Sequence, residues 1–164
     1  MPVNHAKLVY RPMSLADIPA VLLIEQESFS SPWTEESFVN ELKNNMFARY
    51  LALEYGGELI GYGGMWIIMD EAHVTNIAIR SDVRGIGLGH RLMAQLQRTA
   101  LFYGAARMTL EVRVSNEHAQ RLYRKHGFQP SGVRPNYYSD NNEDALIMWA
   151  ELDESRLGTG EESH

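Results

Sequence analysis

The sequence predicts an α/β domain of about seven strands and four helices. Three observations lead there. Apolar residues recur at steps of three and four in some segments, and alternate with polar residues in others. An apolar strand, Asn76-Ile77-Ala78-Ile79-Arg80, runs into a turn rich in glycine and then straight into a helical pattern. Glycine, proline and asparagine turns separate the remaining segments at the spacing of one compact core.

Leu8 to Pro12 is short, partly β-branched and closed by a proline, which predicts an edge strand. Ser14 offers an N-cap to a first helix with the apolar set Ile18, Val21, Leu22 and Phe29. Ser31-Pro32-Trp33 interrupts it, and Thr34 can cap a second helix through Phe38, Leu42 and Lys43. Ala48 to Glu54 and Leu59 to Met69 are joined by Gly56-Gly57, a two-residue hairpin turn. His73 to Arg80 continues the antiparallel meander into the glycine turn. Leu88, Leu92, Leu96 and Ala100 then form the stripe of a third helix, ended by Gly104. Strict alternation from Arg107 to Val114 places Met108, Leu110, Val112 and Val114 on one face of a strand. A fourth helix, capped at Ser115-Asn116, carries Ala119, Leu122 and Tyr123 until Gly127. Phe128 opens a strand that turns at Asp140-Asn141-Asn142 and returns as Ala145 to Leu152.

With 164 residues and 45% hydrophobic content the chain suits one domain, expected over 1–154, with an acidic disordered tail over 155–164. Cysteine is absent, which removes disulfides and thiolate chemistry and is compatible with a reducing cytosol. No apolar stretch approaches the roughly 20 residues that span a bilayer, so the expectation is a soluble, cytoplasmic protein with no membrane partner. Fifteen Lys and Arg against 21 Asp and Glu give a net charge of −6, without the basic field that nonspecific nucleic-acid binding needs. The six histidines show no metal-ligand spacing, so no metal is expected, and no G-x-S-x-G elbow is present.

The turn at Arg84-Gly85-Ile86-Gly87-Leu88-Gly89-His90 has the layout of an anion site. Glycines let backbone amides approach a ligand, and the helix behind adds its unpaired donors and positive dipole end. A phosphate or pyrophosphate is the natural guest. A nucleoside-triphosphate loop would need a Lys and hydroxyl pair that is missing here. A dinucleotide G-x-G-x-x-G fingerprint starting at Gly85 meets His90 where its third glycine belongs, although Glu111 stands roughly 20 residues on; that reading stays open as a rival.

Two carboxylate and hydroxyl positions invite chemistry. Glu111 in its strand is either a surface carboxylate paired with Arg107 or Arg113, or one desolvated at a cleft, where burial would raise its pKa toward neutrality and suit a general base. Asn116, Ala119, Gln120 and Tyr123 share one helix face along which a ligand could lie. The blander alternatives are a helix cap for Asn116 and a core aromatic for Tyr123.

Arg84-x-x-Gly87-x-Gly89, between a strand and a helix, resembles the Q/R-x-x-G-x-G/A signature of the GNAT acyl-CoA-dependent N-acetyltransferases. Leu110-Glu111-Val112-Arg113-x-Ser115-Asn116 through Leu122-Tyr123 and Gly127-Phe128 resembles the second half of the pattern. Phe29 to Trp33, Asn76-Ile77-Ala78, Arg134 to Tyr138 and Asp144 to Met148 also fit, specifically the branch that acetylates the N-terminal alanine of ribosomal proteins. The resemblance covers about residues 8 to 152.

That resemblance implies a mixed sheet splayed at an acetyl-CoA site and direct attack of an amine on the thioester. It implies pantetheine along the backbone of Ile77, Ala78 and Ile79, and pyrophosphate on Arg84, Gly85, Ile86, Gly87, Leu88, Gly89 and His90, with Asn116 also a contact. Glu111 becomes the proton acceptor and Tyr123 the proton donor. Trp33, Tyr137 and Tyr138 would hold the acceptor, the α-amine of a protein beginning with Ala, expected to be a small-subunit ribosomal protein. A GNAT enzyme for a small amine or a lysine, and a silent acetyl-CoA-binding module, are the other readings.

Overall fold

The computed structural model describes residues 3–154, so the tail expected over 155–164 lies outside the described residues. One mixed sheet of seven strands runs through the molecule in the order β1-β2-β3-β4-β5-β7-β6. Its strands are β1 (Leu8–Pro12), β2 (Ala48–Tyr55), β3 (Glu58–Ile68), β4 (Glu71–Ile79), β5 (Arg107–Arg113), β6 (Gln129–Tyr138) and β7 (Glu143–Glu151). The helices are α1 (Ile18–Ser28), α2 (Glu35–Asn44), α3 (Leu88–Phe102) and α4 (Glu117–Lys125). Among the described residues no helix is long and apolar enough to cross a membrane.

Local chemistry sets the boundaries. Gly56 and Gly57, at φ +61° and +84°, make the hairpin between β2 and β3. Thr34 Oγ1 accepts from the Ser37 amide at 3.2 Å to start α2, and Asn116 Oδ1 accepts from the Ala119 amide at 3.1 Å to start α4. Ser14 caps differently from expectation. A short 3-10 turn, Leu15–Asp17, precedes α1, and Asp17 Oδ2 accepts from the Ser14 amide at 2.7 Å.

Each face of the sheet carries its own core. Met93, Leu96 and Ala100 of α3 pack with Met108, Leu110 and Val112 of β5 and with Phe128. On the other face Ile18, Val21 and Ile24 of α1 and Phe38 of α2 pack with Tyr50 and Tyr62. Three apolar residues fall outside the predicted pattern, the first being Met69, which lies past β3 in a turn at φ +56° and is exposed. Phe29 is extended at the end of α1, and Val114 lies beyond β5, exposed, because the chain turns toward the Asn116 cap after Arg113.

Candidate active site

The site begins where two parallel strands part. β4 and β5 pair only from Glu71 to His73 against Arg107 to Thr109. Beyond that point the β5-facing edge of β4 has no partner strand among the described residues, and apart from the Ile79 carbonyl its backbone groups are open to a ligand. Ile77, Ala78 and Ile79 line this cleft, which measures about 530 Å³.

The glycine turn forms its far wall. Gly85 and Gly87 sit at φ +82° and +89°, and Gly87 is the N-cap of α3. An L side chain at either would be strained. Gly89 needs its glycine for another reason: it lies within α3, and a Cβ there would meet Leu122 Cδ1 at 3.1 Å. At Gly89 the glycine serves the close packing of α3 on α4. Leu88 and His90 also line the cleft, whereas Ile86 points outward, 41% exposed, and is not part of the lining.

Arg84 turns back under the loop. Its Nε donates to the Ile79 carbonyl at 2.8 Å and an Nη to Ser28 Oγ at 2.8 Å, which ties the loop to the end of β4. His90 Nδ1 is 3.0 Å from His126 Nε2. Burial, with the charges of Lys125 and His118, lowers the His90 pKa. Arg121 and Lys125 also line the cleft and, beside His118, give it a cationic flank on α4 that sequence reasoning missed. Their spacing of three and four residues was its signal.

A second cleft of about 560 Å³ opens on the α1 side and holds Glu25, Trp33, Glu111, Tyr137 and Tyr138. The two clefts meet at Ser28, Phe29, Ile77, Asn116 and Tyr123. Asn116 both caps α4 and stands at this junction. Gln120 does not join it; buried, it donates to the carbonyls of Arg113 and Val114 at 3.0 and 3.1 Å.

The Glu111 side chain is 8% exposed and pairs with neither Arg107 nor Arg113. His73 Nε2 lies 2.7 Å from its Oε1, and Arg134 Nε 3.5 Å from its Oε2. Burial pushes its pKa up, but the His73 hydrogen bond and charge, with the charge of Arg134, outweigh that and leave it below the usual value. This corrects the expected rise toward neutrality: the carboxylate is desolvated but well partnered. Tyr123 follows the simpler rule, its pKa pushed up to about 12 by burial, so it holds its proton at neutral pH.

The mouth of the second cleft is built from three segments. Glu25, 2% exposed, accepts from the Tyr62 hydroxyl and from the Trp33 amide, the latter at 2.9 Å. It anchors the loop after α1. Trp33 packs 5.3 Å from Phe38 and 6.5 Å from Tyr50, ring to ring, so it is core and cleft at once. Tyr137 and Tyr138 stand edge to face at 5.0 Å, with the Arg113 guanidinium 4.0 Å over Tyr138. Arg113 donates to Asp140 at 2.8 Å and to Ser30 at 3.2 Å, and Ser30 bonds Asp140, which joins the α1–α2 loop to the β6–β7 turn. Among the described residues no group of three or more His, Cys, Asp or Glu is placed to hold a metal.

Known sequences and structures resemble this chain over most of its length. The acetyltransferase (GNAT) family model matches residues 18–128, and the chain belongs to that family, whose members use acetyl-CoA as co-substrate. A Bacillus subtilis protein provisionally named a ribosomal protein bS18-alanine N-acetyltransferase is 51% identical over 148 residues, 90% of this chain and 98% of that one. The Escherichia coli K12 ribosomal protein bS18-alanine N-acetyltransferase is 36% identical over 140 residues, 83% and 92% of the two chains. The crystal structure of the Escherichia coli ribosomal-protein-S18-alanine N-acetyltransferase superposes with a TM-score of 0.82 at 32% identity, covering 89% of this chain and 94% of that one. Ard1 from Thermoplasma volcanium gives 0.82 at 26% identity, covering 90% and 99%.

Proposed function

We propose that this chain transfers the acetyl group of acetyl-CoA to the N-terminal α-amine of a protein, with the alanine at the start of a small-subunit ribosomal protein as acceptor. One observation carries the reading. A cleft suited to a phosphate-bearing, extended donor and a cleft holding a partnered carboxylate meet at Tyr123, beside the free edge of β4. The names of the relatives at 51% and 36% identity support the acceptor.

Acetyl-CoA fits the first cleft on three counts: glycines with φ near +85° at the start of a helix, an unpaired strand edge, and cations on α4. When bound it supplies an activated acyl group as a thioester. Of the strand Ile77, Ala78 and Ile79, the amides of Ile77 and Ile79 face the free edge, the Ala78 amide being turned to β3, so these two hold the acyl arm and polarise its carbonyl, and the glycine turn with His90 and Asn116 holds the phosphates and their linker. Glu111, directly or through a water, takes the proton of the acceptor amine; Tyr123, protonated at neutral pH, gives one to the leaving sulfur. Trp33, Tyr137 and Tyr138 hold the first residues of the acceptor.

The test is turnover of a synthetic peptide beginning with Ala, with fragment mass analysis locating the added acetyl group. Acetylation of the α-nitrogen, dependent on acetyl-CoA, is expected. Tight acetyl-CoA binding without transfer to any amine would reduce the chain to a binding module.

A further inference from the structure

β4 carries a bulge close to the splay. Gly64 pairs with Asn76 and Met65 with Val74, so Thr75 is the extra residue. A bulge re-aims the side chains beside it. Thr75 Oγ1 lies 2.9 Å from the Tyr50 hydroxyl and 2.9 Å from the Asn76 carboxamide, while Asn76 lines the acceptor cleft with Glu25, Trp33 and Glu111. Asn76 is only 8% exposed, and the atom at its Nδ2 position has no partner among the described residues. Among the described residues, Tyr10, Arg91 and Gln97 also have a buried side-chain atom without a partner, but none of them lines the cleft.

Proton counting decides which atom of Asn76 is free. Glu41, 8% exposed, is approached by Trp66 Nε1–H at 2.6 Å, by Asn45 Nδ2–H at 2.9 Å and by the Tyr50 hydroxyl at 2.8 Å. A carboxylate among donors accepts from all of them, so the single proton of Tyr50 goes to Glu41. Thr75 must then give its own single proton to the Tyr50 oxygen. It has none left for Asn76, and the group that Asn76 turns to it has to be a donor. A half-turn of the carboxamide meets that demand, with Nδ2–H on Thr75 and Oδ1 in the unpartnered place.

We infer that Asn76 binds the acceptor substrate: its Oδ1 receives an N–H of the amine to be acylated, held in that orientation by the hydrogen-bonded chain from Asn76 through the half-buried Thr75 and the buried Tyr50 to Glu41. The inference rests on the transfer reading above. The free atom names the ligand class. A primary amine keeps an N–H for this oxygen whether it is protonated or neutral, and a buried acceptor left unpaired in the free enzyme is relieved when the amine arrives. Asn76 and Glu111 project to the same side of the sheet from the two strands that part, so one amine can be held by the first while it loses a proton to the second.

Steady-state kinetics with an Ala-initiated peptide, calorimetry with acetyl-CoA and thermal unfolding test this on Asn76→Leu, Asn76→Asp, Tyr50→Phe and Glu111→Gln. Asn76→Leu should lower kcat/KM for the peptide roughly 10- to 100-fold, mainly through KM, with acetyl-CoA affinity retained. Asn76→Asp keeps an acceptor in place, with the Thr75 hydroxyl turning its proton from Tyr50 to the new carboxylate, and should recover most of that loss, a rescue that a purely structural role would not give. Tyr50→Phe frees the Thr75 proton for Asn76 and lets the carboxamide turn its Nδ2 to the amine, so peptide KM should rise although Tyr50 does not line the cleft. Folded Asn76→Leu with wild-type kcat/KM overturns the inference. So does Asn76→Asp as poor as Asn76→Leu, which would make the free atom a donor, or a loss of acetyl-CoA affinity, which would put Asn76 on the donor side. Unchanged peptide KM in folded Tyr50→Phe overturns the orienting chain. An inactive Glu111→Gln beside a fully active Asn76→Leu leaves the transfer reading standing and removes only this inference; a wild type that acetylates no amine removes both.

Discussion

His73 Nε2 stands 2.7 Å from Glu111 Oε1, a side-chain bridge from the last paired residue of β4 to β5 two residues past its partner Thr109. The backbone ladder ends and this bond takes its place. It closes the floor of the splay and holds the carboxylate proposed as the base.

The bridge sets a pH dependence. Glu111 has its pKa lowered from 4.5, with burial opposed by His73 and Arg134. A depressed carboxylate contributes stability that is present above its unfolded value and lost as pH falls through the folded value. The acidic limb of kcat/KM should accordingly lie below the ordinary carboxylate range. In His73→Ala burial is left opposed by Arg134 alone among the cations that face it, and Tyr137 and Tyr138 bring no positive charge. The limb should move to higher pH, with His73→Gln restoring it in part. An unmoved limb in folded His73→Ala would separate this bond from the reaction.

Glu111→Gln keeps the shape of the side chain but cannot accept a proton. At neutral pH kcat should fall by about 10²–10⁴. Tyr123→Phe should lower kcat while acetyl-CoA affinity by calorimetry holds, and the Tyr123 value of about 12 predicts no alkaline limb from it near neutrality. Wild-type turnover in Glu111→Gln, with chemistry limiting, would assign the base to another group or to water.

The two glycines of the turn should respond differently. Gly87→Val forces a β-branched residue to φ +89° at the N-cap of α3. Acetyl-CoA affinity should fall by roughly tenfold or more, about 1.4 kcal/mol. Gly89→Ala adds one methyl 3.1 Å from Leu122 Cδ1, a flexible neighbour, and should cost far less. Equal losses in the two variants would mean that packing, rather than backbone conformation, shapes the cradle.

Glu25→Leu removes the acceptor of the Tyr62 hydroxyl and the Trp33 amide. Each orphaned group costs about 1–3 kcal/mol, so the melting temperature should drop and the peptide KM should rise as the Trp33 loop loosens. An unchanged melting temperature would contradict the anchoring role.

Much of this was legible along the chain, and the reasons are local. The alternation of β5, the hairpin at Gly56-Gly57 and the strand, glycine turn and helix around Gly87 each depend on neighbours a few residues apart. What was hidden depends on distant partners. Glu25 occupies an inward position of α1 and reads as an interruption of its apolar face until Tyr62 arrives from β3. Nothing near Glu111 in sequence predicts His73, 38 residues away, or Arg134, and without them burial alone gives the wrong direction for its pKa. Asn76 looks like a strand residue among Ile77, Ala78 and Ile79, because the bulge at Thr75 that re-aims it is a property of the β3–β4 register.

The most direct test of the central claim is a matched competition under one set of conditions with acetyl-CoA. It compares an Ala-initiated ribosomal peptide, the same peptide with its α-amine blocked and an internal Lys free, and a polyamine. An α-amine needs about 1 unit of pKa correction to be neutral at pH 7 where a lysine needs about 3, which a partnered carboxylate can meet. Preferential acetylation of the free N-terminus, with the mass increment on its α-nitrogen, is the result expected. Faster turnover of the blocked peptide or of the polyamine would contradict N-terminal transfer and leave the GNAT fold as it stands.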